Sequence, residues 1–157
     1  MILDAELQFS SAQAITADAI SENVIDLGPL TGGEGTNLIR DIGAGQPVGI
    51  LFQVETALTD ADGTPTLTIT LESDDVEALN TTPTVHQTIG SAVTEAAMVA
   101  GYTIYAPLAP GAFQRYLGLR YTTNGADFDG GTVNAWIVVG DPTNWRAYAS
   151  GFVNNVA

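Results

Sequence analysis

The chain is 157 residues long, with 18 Asp and Glu against 4 Lys and Arg and a formal charge of −14, and its cations are all arginines: Arg40, Arg115, Arg120 and Arg146. A nucleic-acid partner must be neutralised phosphate by phosphate with Lys or Arg, so bare DNA or RNA and anionic membrane surfaces are poor candidates, whereas a locally basic surface suits the charge. The absence of cysteine rules out a disulfide framework or thiolate metal site, and 45% hydrophobic content argues for one folded domain, residues 1–157, long enough to bury about 68–70% of its unfolded surface.

The opening Met1-Ile2-Leu3-Asp4-Ala5-Glu6 has no basic n-region and no long apolar run, so neither a signal peptide nor a transmembrane helix is expected, and synthesis and folding in a cytoplasm are. Residues 10–20 form the best helix candidate, with Ser10 and Gln13 at capping-box spacing. Ala14, Thr16, Asp18 and Ile20 read equally as one face of an extended segment, and both readings stay open. The compact apolar stretch Val24-Ile25-Asp26-Leu27 is followed by glycine-rich residues 28–35. Residues 1–46 therefore read either as a first strand plus a long loop or as an arm ordered by a neighbouring subunit, with the sandwich body at 47–157.

In residues 48–58, Ile50, Phe52, Val54 and Leu58 share a face opposite Gln53 and Glu55, the pattern of a half-buried strand. Residues 59–65 have hairpin composition. In residues 66–72, Leu67, Ile69 and Leu71 alternate with threonines that suit a solvated pleat. Further strands are expected at 85–91, 102–108, 114–123 and 132–139, and a second short helix at 94–100. Seventeen glycines and seven prolines break long helices. The expected fold is all-β, an antiparallel sandwich or jelly roll rather than a parallel α/β sheet. Phe52, Val54, Leu67, Ile69, Leu71, Leu117, Leu119 and Val133 are expected to point inward.

Chemistry is sparse. Setting Gly63 of Asp60-Ala61-Asp62-Gly63 at the turn position of a calcium loop puts Leu58 and Ile69 where the first and last ligands belong, so the pattern fails and a plain turn is expected. Asp74-Asp75 and the acidic run 124–131 read the same way. A Walker loop needs a lysine that the chain lacks, and Gly43-Ala44-Gly45 is not completed as a dinucleotide fingerprint. His86, the lone histidine, reads as a surface or hydrogen-bonded structural residue without catalytic partners. No catalytic residue, cofactor or metal site is expected. Trp136 reads as core or interface, and Trp145 beside Arg146 and Tyr148 as a contact or a partly buried tail residue. Arg115 and Arg120 are expected to pair with carboxylates or backbone carbonyls, within the sandwich or across a subunit boundary.

Two stretches carry a resemblance. Asp4-Ala5-Glu6-Leu7-Gln8-Phe9-Ser10-Ser11-Ala12-Gln13-Ala14-Ile15-Thr16, running on to Asn23-Val24-Ile25-Asp26-Leu27-Gly28, resembles the start of the capsid cement (decoration) proteins of short-tailed bacteriophages. Arg115-Tyr116-Leu117-Gly118-Leu119-Arg120-Tyr121, with Gly130-Gly131-Thr132-Val133-Asn134-Ala135, is similar to that family's central strand pair. The resemblance implies a jelly-roll-like β-sandwich, made in a bacterial host, that binds the outside of the major capsid protein shell as a homo-oligomer, dimer or trimer, and locks capsomers together. It implies no enzyme activity and neither nucleic-acid nor membrane partners. Contacts are expected at Phe9, Val24, Ile25, Leu27, Arg115, Arg120, Trp145, Arg146 and Tyr148, with residues 1–46 as the principal contact. A carbohydrate-binding β-sandwich module, using Trp145, Tyr148 and acidic loops, is the alternative.

Overall fold

The computed structural model describes residues 4–29, 42, 48–61 and 64–140. Nine strands run through them: β1 (Gln8–Ala14), β2 (Ala19–Ile20), β3 (Ile25–Asp26), β4 (Val48–Thr59), β5 (Thr66–Asp74), β6 (Thr84–Thr94), β7 (Thr103–Pro107), β8 (Tyr116–Asn124) and β9 (Gly130–Val139). One sheet has the order β1-β9-β4-β7. The other has β2-β8-β5-β6, with β3 also pairing along β8. Every pairing is antiparallel. Counting β2 and β3 as one interrupted strand, eight strands lie in the order 1-8-3-6 against 2-7-4-5, which is the double Greek key of a jelly roll.

The core forms between the sheets because period-two alternation sends every second side chain to one side. Ile50, Phe52 and Val54 of β4 and Val133, Ala135 and Ile137 of β9 meet Leu67, Ile69 and Leu71 of β5 and Leu117, Leu119 and Tyr121 of β8. All eight side chains expected to point inward are fully buried. The Phe52 and Tyr121 rings lie 6.2 Å apart, tilted by 48°.

Two local expectations are corrected. Residues 59–65 do not join a hairpin: β4 and β5 lie in different sheets, so this connection steps across the sandwich. Among the described residues, the connection that joins neighbouring strands of one sheet is the one between β5 and β6. The helix expected at 94–100 shrinks to a single 3-10 turn at Glu95–Ala97, and of the two readings of residues 10–20 the extended one holds, with most of β1 and all of β2 in it.

For the opening segment, read either as a first strand plus a long loop or as an arm, the described part fits the first reading. That part, residues 4–29, is not an appendage awaiting a neighbour, because β1 adds to one sheet while β2 and β3 add to the other. Phe9 and Ile15 are fully buried in the core. Ser10 and Gln13 do bond to each other, Oγ to Oε1 at 2.7 Å, but across a bulged strand in which Ala12 sits at φ +49°. The bulge turns both polar groups inward. Tyr121 Oη lies 2.7 Å from Ser10 Oγ, Gln13 Nε2 donates to Ile20 O, and Glu22 N donates to Gln13 Oε1. This buried polar chain joins the two sheets along the edge where the segment crosses. Burial drives the Tyr121 phenol far above its ordinary range, more than the Ser10 contact lowers it.

Candidate functional site

A concavity among the described residues lies on the outer face of the β8-containing sheet. It is a groove of about 520 Å³ with Ile20, Ser21, Glu22, Asn23 and Val24 on one wall and Val76, Glu77 and Ala78 on the other. Both walls are held by contacts that the sequence does not advertise.

Gly118 sits beneath them, where a β-carbon would come within 2.5 Å of Leu79 Cδ1 and 3.1 Å of Val24 Cγ1. Leu79, at φ +48° and fully buried, folds the β5–β6 loop back onto the sheet. Arg120 pins that loop. Its Nε donates to Glu72 Oε2 at 2.8 Å and its Nη2 to Leu79 O at 2.7 Å. Asp74, fully buried at the end of β5, accepts backbone N–H bonds from Asp75, Thr81 and Thr82. Desolvation pushes its carboxyl upward, but the N–H groups of Thr81, Thr82, Asp75 and Val76 outweigh that and hold it below the usual value.

The opposite wall depends on Ser21. Its N–H donates to Leu119 O at 2.8 Å, while its Oγ accepts from Leu119 N and donates to Asn23 O. Between β2 and β3 the Ser21 side chain thus takes the Leu119 N–H, while Asn23 N–H donates to Phe9 O of β1.

Arg115 precedes β8 and grips Asp26 with two parallel bonds, Nε to Oδ1 at 2.9 Å and Nη2 to Oδ2 at 2.7 Å. Its guanidinium also lies 4.8 Å from the centre of the Tyr116 ring. The hydrogen bond to Asp26 raises its pKa above the ordinary arginine value. Arg115 and Arg120, the arginines among the described residues, are thus both paired with acceptors of their own chain.

His86 pairs with Ser73, Nε2 to Oγ at 2.7 Å, and packs against the Phe113 ring. Burial lowers its pKa, and the ring tautomer decides which of the two atoms donates. Ser73 Oγ meanwhile accepts Gln114 N–H at 2.9 Å. A serine beside a histidine is the contact that activates a nucleophile, but this serine is fully buried, and its bonds tie β5 and β6 to residue 114. The acids of the loops serve as backbone caps. Glu95 accepts from Asp60 N, Asp129 from Ala61 N, and Asp18 from Thr123 N. Among the described residues no three His, Asp or Glu side chains are placed to hold a metal ion, and no helix is long and apolar enough to cross a membrane.

Of the residues expected at contacts, Phe9 is corrected: it is core, with no exposed surface. Val24 lines the groove, while Ile25 and Leu27 are half-buried against the core. Trp136 lies on the strand face opposite Val133, Ala135 and Ile137, hence on the outside of its sheet, partly exposed. Trp145, Arg146 and Tyr148 lie outside the described residues, as do Gly43, Ala44 and Gly45. The groove brings in Ser21, Glu22, Val76 and Glu77, which sequence reasoning passed over. The one signal was Asp74-Asp75, which marked the loop without showing where it folds.

These features define a two-sheet antiparallel jelly roll that presents a surface groove with hydrogen-bonded walls. The chain belongs to the Bbp16 family, whose model matches residues 9–137. No curated protein matches it.

Proposed function

We propose that this protein is a capsid cement protein, binding as a homo-oligomer to the outside of a major capsid protein shell and bridging neighbouring capsomers. The observation that carries the reading is how the two stretches resembling phage cement proteins lie together. β1 of the opening stretch pairs along β9, and β3 pairs along β8, so the familiar pieces are hydrogen-bonded partners in one unit.

Charge supports the same reading. Packaged genome lines the inside of a shell, and a subunit of charge −14 is repelled there and favoured outside. Weak contacts of one subunit gain strength when repeated over linked, symmetry-related copies. The carbohydrate-binding alternative leans on Trp145 and Tyr148, which lie outside the described residues.

The test is co-sedimentation with empty shells assembled from the major capsid protein of the same virus, followed by imaging of the pelleted shells. Protein in the pellet with added density on the outer surface is the expected result. Protein left in the supernatant, or density on the inner surface, overturns the proposal.

A further inference from the structure

We infer that the groove between residues 20–24 and 76–78 seats a basic, partly apolar segment of the partner protein, with an apolar side chain between the walls and Lys or Arg on Glu22 and Glu77. The inference takes its partner from the cement reading, but its chemistry stands on the groove itself.

Ile20 and Val24 offer half-buried apolar surface on one side, and Val76 is 42% exposed on the other. The volume of about 520 Å³ falls in the range of formed ligand sites. One exposed glutamate stands on each wall, and neither side chain has a hydrogen bond or ion pair among the described residues. Arg115 feels the charge of Glu77, yet its fork is spent on Asp26. The groove therefore presents unmet negative charge around apolar surface, and its complement is a cationic segment.

The walls need little ordering on binding. Leu79 over Gly118, the Arg120 fork and the Ser21 bridge already fix them, and preorganisation of this kind reduces the entropic cost of association. A second copy meeting this face with its own groove would set glutamates against glutamates, and Arg115 and Arg120 are not free to answer them. A copy bringing Arg40 or Arg146 is the competing occupant.

The test titrates the isotope-labelled full chain with a hexapeptide of alternating Lys and Leu, and in parallel with its Glu and Leu counterpart, reading backbone amide shifts. The Lys peptide should move Ile20–Val24 and Val76–Ala78 signals, the Glu peptide should not, and the double variant Glu22→Gln, Glu77→Gln should bind the Lys peptide roughly tenfold more weakly at low salt. Shifts elsewhere, equal shifts with both peptides, or no loss in the double variant overturn the inference. So does a change in self-association of the double variant by sedimentation without peptide binding, which assigns the groove to a second copy. Run on shells, the same variant separates the two proposals. Wild type and variant pelleting equally overturns the groove and spares the cement reading. Peptide in the groove with no shell binding by wild type does the reverse.

Discussion

Leu119 and Ile69 stand on the neighbouring strands β8 and β5 of one sheet and point into the core, both without exposed surface. Either one changed to Ala removes methyl groups that close packing cannot replace, and the expected loss is about 2–5 kcal/mol in denaturant melts. A loss below about 0.5 kcal/mol, the scale of surface substitutions, contradicts the register. The two arginines should part ways. Arg120 reaches two acceptors in different directions, a carboxylate and a carbonyl, which an ammonium cannot do from one point, so Arg120→Lys is expected to cost about 1–3 kcal/mol. Arg115→Lys keeps an exposed ion pair of the kind that contributes little and should leave the melt unchanged. Equal behaviour of the two variants contradicts this assignment.

His86 and Asp74 set the response to acid. The folded pKa of His86 is depressed by burial, so the unfolded chain takes up a proton first, and stability falls as pH drops below the unfolded value of about 6.5. Asp74 is also depressed; its contribution is present above the unfolded carboxylate value and is lost as pH falls through its folded value. Melts against pH should show two declines on acidification, with the first missing in His86→Gln and the second reduced in Asp74→Asn. A profile unchanged by either substitution contradicts the assignment.

At the scale of elements, β4, β5, β8 and β9 were legible because alternation is a local signal, written in Ile50, Phe52 and Val54 or in Leu67, Ile69 and Leu71. Partner choice is not local. Residues 59–65 carry turn chemistry that suits a hairpin, and only the competing partners β9, β7, β8 and β6 make the chain cross between sheets instead. Ser10 and Gln13 show a second kind of ambiguity, since the spacing that caps a helix also lets two side chains meet across a bulge. The groove was hidden for a related reason: its walls come from segments distant in sequence, brought together by Leu79 and Gly118. A chain beginning at Gln46 tests the opening segment. An arm at residues 1–46 implies a body at 47–157 that folds without it, whereas loss of β1 to β3 strips Phe9 and Ile15 from the core and bares the edges of β8 and β9. The expected outcome is loss of the cooperative thermal transition. A sharp melt retained near the full-length midpoint would restore the arm reading.

For the whole molecule, strand order sets a schedule. β9 lies between β1 and β4, and β8 between the β2–β3 edge and β5, so the centre of each sheet is the strand that a ribosome delivers late. Until both have emerged, β1 has no neighbour and β4 lacks one side, and the nascent chain holds bare strand edges of the kind that invite aggregation. Folding of such non-local β topologies takes roughly milliseconds to seconds. A chain stopped after Asp129, with every strand but β9, should therefore show no protected amides by hydrogen exchange, and protection confined to β5 and β6 would mean that their hairpin stands alone. Dense negative charge then acts before any partner is met: it keeps unfinished chains apart while they wait for their last strand.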